Sequence, residues 1–124
     1  MTQAHVGVTA SFWVMGVLWS LWHVPAFFDR TMPHYFMPMM TVLPFIVFFG
    51  VFLGFLFNRA GESVLATMTA HLSLNIMTGV GGAELTSGAF WWTLAGLFGV
   101  IAVAITVVTA KRLATPAALS AMSR

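Results

Sequence analysis

Four long stretches of the chain are almost wholly apolar, and short polar breaks separate them. The first runs from Val6 to Phe28 without an Asp, Glu, Lys or Arg, and the second from Met39 to Phe57. The third, Ser63 to Val80, is shorter and holds His71, Ser73 and Asn75; the fourth, Ala89 to Ala110, ends on Lys111-Arg112. Each is close to the roughly 20 apolar residues (about 17–25) that carry a helix through hydrocarbon. The breaks have turn chemistry: Pro33 and Pro38 in Asp29–Pro38, the polar run Asn58-Arg59-Ala60-Gly61, and a Gly/Ser/Thr-rich Gly79–Gly88. No stretch alternates as a barrel strand does, and backbone in lipid must satisfy its own hydrogen bonds, so helices are the remaining choice. The pattern predicts an all-α integral membrane bundle of four transmembrane helices over residues 1–113, with 114–124 a flexible polar tail.

Composition agrees with the pattern. Of the 124 residues 60% are hydrophobic and 6% charged, with a mean hydropathy of +0.95. A soluble domain carries about 25% charged residues. So few charges cannot coat a water-soluble globule of this size, and the lipid bilayer is the chain's first partner. A net charge of +2, dispersed along the chain, makes no patch for nucleic acid. The absence of cysteine excludes disulfides, thiolate metal sites and cysteine nucleophiles. Met1–Ala10 lacks the basic start of a cleavable signal, so the first apolar stretch reads as retained. With four spans, Arg59, Lys111, Arg112 and Arg124 share one face and Arg30 stands alone on the other. Basic residues favour the cytoplasmic side, which places both termini there.

Polar side chains at membrane depth are costly, and by default they mark a site facing the bundle interior. His23 sits near the end of the first span, in Trp19-Ser20-Leu21-Trp22-His23-Val24-Pro25. Trp19 lies four residues earlier, on the same helix face, and Pro25 ends or kinks the helix just beyond. His71 and Asn75 have the same spacing in the third span and share a face one turn apart. Taken singly, each is equally consistent with an interhelical hydrogen bond. Trp13, Trp19, Trp22, Phe27 and Phe28 read as an interfacial belt or lipid-facing surface, and Trp91-Trp92 as a second belt. Gly50-x-x-x-Gly54 reads as a helix contact. His5 and His34 fall in expected connections and receive no role.

Taken together, these motifs become recognisable. Aromatic-x-x-x-His-x-Pro around His23, then Gly50-Val51-Phe52-Leu53-Gly54 leading into Asn58-Arg59-Ala60-Gly61-Glu62-Ser63, then Ala70-His71-x-x-x-Asn75 follow one another in order. From about Ser11 to Ile76 the chain resembles the CPBP family of intramembrane metalloproteases, the CAAX proteases and bacteriocin-processing enzymes also called the Abi family. The family carries a further Glu-Glu-x-x-x-Arg helix well upstream of its first histidine. Here the acids are Asp29, Glu62 and Glu84, none followed by that arginine, so the chain resembles the C-terminal two-thirds of a member, N-terminally incomplete. Trp19 also departs from the family's usual phenylalanine.

The resemblance implies a metal-dependent endopeptidase that processes a membrane-proximal protein or peptide, located in a bacterial plasma membrane. It assigns catalytic roles to His23, His71 and Asn75, with Trp19 and Pro25 supporting, and makes His23 and His71 possible ligands of a divalent metal, zinc first. In the resembled enzymes a glutamate acts as base on the attacking water, and histidine and asparagine stabilise the oxyanion. Without that glutamate the chain alone is expected to be inactive, unless an upstream or partner helix supplies it. A non-catalytic membrane protein of the same fold, such as an immunity or partner-binding factor, is the alternative. A haem held between two histidines is a third reading, one that leaves Asn75 without a purpose.

Overall fold

The computed structural model describes residues 2–80 and 82–113, with side chains over 7–80 and 84–110. Helix α1 (Thr2–His23) passes into a 3-10 turn at Val24–Phe28, and a second turn at Pro33–Phe36 leads to α2 (Met39–Arg59). Helix α3 (Val64–Val80), a 3-10 turn at Gly82–Thr86 and α4 (Gly88–Leu113) follow, with no strand among the described residues. Gly7–Phe28, Met39–Arg59 and Gly88–Ala110 are long and apolar enough to cross a membrane. The 17 residues of α3 reach about 26 Å, somewhat short of the roughly 30 Å of hydrocarbon. The molecule is an all-α membrane bundle of four helices, as the apolar pattern predicts.

Local chemistry sets the helix ends. Pro25 lies in the first residues of the turn that follows His23, where its missing N–H costs least. At the end of α2, Gly61 has φ +65° and Glu62 φ +61°. The Glu62 N–H reaches back to the Phe57 carbonyl at 2.8 Å, closing the helix as left-handed caps do. Ser63 then caps α3 by accepting from the Ala66 N–H at 3.3 Å, and Ser87 caps α4 in the same way from Phe90 at 3.4 Å. One boundary differs from expectation. Helix α1 starts at Thr2, so His5 lies within a helix and not in a connection; no Gly or Pro stands in Thr2–Val6 to break it. The expected tail, 114–124, lies outside the described residues.

Helix α2 is the centre. Its Val42, Phe45, Ile46, Phe49, Val51 and Leu53 are buried, whereas α3 buries no residue and rests on the side of α2. Lipid tails are as apolar as leucine, so close fit and interhelical hydrogen bonds hold such helices together. Both are present. A Cβ on Gly16 would lie 2.5 Å from the Val47 carbonyl oxygen, and one on Gly50 2.7 Å from the Gly16 Cα. Gly54 makes room for the Phe12 ring. The Ser20 hydroxyl donates to the Leu43 carbonyl at 3.0 Å, tying α1 to α2, and the Trp13 indole donates to the Thr106 hydroxyl at 3.1 Å, tying α1 to α4.

The aromatic belts need correction. Trp91 is 3% exposed, and its indole N–H donates to the Leu85 carbonyl at 2.8 Å, so it closes the bundle from inside. Phe27 is buried, and Trp13 and Trp19 face neighbouring helices. Trp22, Phe28 and Trp92 alone of this set are exposed as belt residues would be. The half-buried Thr106 of α4 accepts the Trp13 indole N–H, the polar partner that lets such a ring turn inward.

Candidate active site

His23 is the last residue of α1, and His71 and Asn75 lie in the second half of α3. Because the helices run alternately up and down, these positions come to one end of the bundle. The α1–α2 and α3–α4 connections meet there. A cavity of about 300 Å³ opens at that end, and His23, His71 and Asn75 all line it. Most of its remaining wall is apolar, with Phe45, Phe49 and Leu74 among the lining residues. Both histidines are half-buried, and Asn75 is exposed because α3 lies at the bundle's edge. Pro25 does not line the cavity; its contribution is to end α1 at His23. A second depression, lined by Phe48, Trp92, Gly96, Gly99, Val100 and Val103, holds no titratable side chain.

Trp19 organises the cavity. Its indole meets the His23 ring edge-on at 5.4 Å and the His71 ring edge-on at 5.0 Å between centres, and tilts against Phe49 at 6.2 Å. The indole thus holds imidazoles from two helices against one apolar wall. His23 is fixed further by its Nδ1, 2.7 Å from the Trp19 carbonyl oxygen. A carbonyl can only accept, so Nδ1 carries the proton there and a neutral His23 keeps a lone pair on Nε2. The Asn75 amide has no hydrogen bond among the described residues, leaving donors and an acceptor for a guest.

Sequence reading passed over one residue of this cavity. His34, in the turn Pro33–Phe36, lines it and stands 5.6 Å from His23 between ring centres. Burial pushes its pKa below the ordinary histidine value, and the neighbouring His23 pushes it the same way. It lies in a connection, as expected; the position of that connection on the cavity wall is what the apolar pattern leaves unexpressed. A signal was present. The connection from Asp29 to Pro38 has Pro33 directly before His34 and ends on Pro38, which restricts how far a polar side chain in it can stray from the end of α1.

Among the described residues no carboxylate lines the cavity. Asp29 accepts from the Thr31 N–H at 2.9 Å and the Thr31 hydroxyl at 2.7 Å, which hold its carboxyl below the usual range. Glu62 lies at the far end of the bundle, beyond α2. Among the described residues no group of three or more His, Cys, Asp or Glu forms a metal cage. The open nitrogens suited to a metal are Nε2 of His23 and the ring nitrogens of His71 and His34.

Four apolar helices around a cavity that holds three imidazoles and a carboxamide define a polytopic membrane protein with a polar site at one end of its bundle. Residues 1–77 match the family model of type II CAAX prenyl endopeptidase Rce1-like proteins, and His23, His34, His71 and Asn75 all fall within the match. The match covers more than half of the chain, and the chain belongs to that family: it is a CAAX protease-like integral membrane protein. No curated protein and no solved structure matches it.

Proposed function

We propose that the cavity is the oxyanion-binding half of an intramembrane endopeptidase site, acting on a peptide bond presented at the membrane surface. One observation carries the reading: His23 and His71, from different helices, contact the same indole while Asn75 shares their cavity. A scissile carbonyl entering there meets the Asn75 amide and the His71 imidazole from one helix face. Fixed donors of this kind contribute about 3–4 kcal/mol each to an oxyanion-like transition state. The apolar walls exclude bulk water and strengthen each contact. His23, with Nδ1 committed to Trp19, offers Nε2 to accept a proton or a metal. A divalent metal, zinc by donor type, would take His23 as one ligand and would polarise the carbonyl or the attacking water.

The site still requires a base. Losing a general base typically costs about 10²–10⁴-fold, and no lining residue is a carboxylate. We therefore assign water activation to a glutamate from a Glu-Glu-x-x-x-Arg helix outside the described cavity. The test is a peptidase assay on a carboxyl-terminal peptide of a prenylated protein, run with the chain alone and with such a helix fused or co-expressed. Cleavage that depends on both the added helix and His71 supports the reading; cleavage by the bare chain moves the base elsewhere. The lack of a carboxylate in the lining also favours a second reading, a partner-binding membrane protein of the same fold. It prevails if the fused protein remains silent.

A further inference from the structure

His34 has no place in the proposed chemistry, yet the fold fixes it beside His23. Its turn is closed by the Tyr35 N–H on the Met32 carbonyl at 3.1 Å and the Met37 N–H on the His34 carbonyl at 3.0 Å. Pro33 restricts the backbone just before it. Phe27, itself buried, packs edge-on against the His34 ring at 5.4 Å. The ring is therefore held, with its centre 5.6 Å from that of His23.

Its Nδ1 is the informative atom. It is buried, and it has no hydrogen-bond partner among the described residues. Leaving a buried polar atom unpaired costs about 1–3 kcal/mol, so folded proteins seldom do so without a ligand or a water to satisfy it. His23 offers the complementary group, because its Nδ1 is committed to Trp19 and Nε2 is left over. The spacing is that of a shared ligand. With metal–nitrogen bonds of about 2.0–2.1 Å, two imidazoles on one tetrahedral zinc have ring centres roughly 5 Å apart. The rings of His23 and His34 stand 5.6 Å apart and are inclined by 52°, a centre distance close to that value. Asp29, an acid of the same connection, is occupied by Thr31. Two neutral nitrogen donors with no carboxylate suit zinc, cobalt, nickel or copper, and not the oxygen-seeking magnesium or calcium.

We propose that Nε2 of His23 and Nδ1 of His34 together hold a late first-row divalent metal at the mouth of the cavity. His34, and not His71, is then the partner of His23 in metal binding. Such a metal would have positions left for water or a substrate carbonyl. This deepens the proposed reading and rests on it for the metal's purpose, though not for its binding. It also frees His71 to pair with Asn75 as an oxyanion donor.

The test uses cobalt(II) and the full chain in detergent, without substrate. Cobalt on two imidazoles gives visible ligand-field bands, followed by titration. His34→Gln and His23→Gln should each weaken binding about tenfold or more, while His71→Ala should leave it nearly unchanged. Diethyl pyrocarbonate modification of the unaltered protein, mapped by mass spectrometry, removes any dependence on how the variants fold. Cobalt should protect His23 and His34 together. Protection of His23 with His71 and not His34 overturns the proposal, as does the absence of cobalt binding. Intact cobalt binding in a fused protein without peptidase activity counts against the endopeptidase reading alone.

Discussion

Trp19 meets His23 twice: its carbonyl oxygen accepts the Nδ1–H at 2.7 Å, and its indole lies edge-on to the imidazole at 5.4 Å. The first contact belongs to the backbone and survives any side-chain replacement. The second, with the matching contact to His71 at 5.0 Å, belongs to the ring. The two contacts therefore separate by mutation. Nitrogen-15 NMR of the protein should find neutral His23 as the Nδ1–H tautomer in the parent and in Trp19→Ala alike. An Nε2–H tautomer in the parent would disprove the assignment. Edge-on aromatic contacts contribute about 0.5–1.5 kcal/mol each, and truncating a large aromatic costs about 3–5 kcal/mol where it is buried. Trp19 is half-buried, so Trp19→Ala should lower the melting temperature clearly and Trp19→Phe only slightly.

The contact between α1 and α2 predicts a graded response to small changes at glycine. On Gly16 an added methyl meets the Val47 carbonyl at 2.5 Å, backbone that cannot swing aside, whereas on Gly96 it meets nothing within 4 Å. Overpacking a tight contact costs about 1–3 kcal/mol. Gly16→Ala should therefore melt well below the parent in detergent, and Gly96→Ala at or slightly above it. Equal melting temperatures for the two would mean that α1 and α2 do not approach this closely.

Sidedness follows from the basic residues and the fold together. The cavity lies at the end of the bundle that carries Asp29 and Glu84, opposite the Arg59 turn. By the preference of basic residues for the cytoplasmic side, the Arg59 end should face the cytoplasm and the cavity should open outward. The chain has no cysteine, so Asp29→Cys and Glu84→Cys give clean probes. An impermeant maleimide should label both in intact cells. Labelling only after lysis would put the cavity on the cytosolic side, where prenylated proteins are made.

These contacts also mark what the sequence could express. Helix number and extent were legible because apolar length is a local property: the apolar run Met39–Phe57 lies within α2, Met39–Arg59. Gly50 and Gly54 were legible because only glycine admits a neighbouring backbone or ring at that distance. The shared cavity of His23, His71 and Asn75 was legible because each is costly in lipid unless it faces inward. His34 was not. Its place depends on how the turn folds back over the end of α1, and polar residues in connections ordinarily face water. Trp91 was missed for a related reason, since a tryptophan near a membrane surface and one hydrogen-bonded inside a bundle have the same sequence signature.

The oxyanion assignment makes the sharpest functional prediction. His71 and Asn75 stand one turn apart on α3 and line the same cavity, and in the proposed reaction both donate to one developing oxygen. In the protein supplied with a glutamate helix, His71→Ala and Asn75→Ala should each lower kcat about 10²–10³-fold, as removing an oxyanion donor does elsewhere. KM should change little, because the contact strengthens only in the transition state. The double variant should lose less than the product of the single losses, since once one donor is gone the other stabilises an attack that is already failing. Asn75→Asp, which replaces donors with a negative charge beside the oxyanion, should be worse than Asn75→Ala. A full, multiplicative loss in the double variant would mean that the two residues act in separate steps. A rise in KM with kcat unchanged would reduce both to substrate-binding residues.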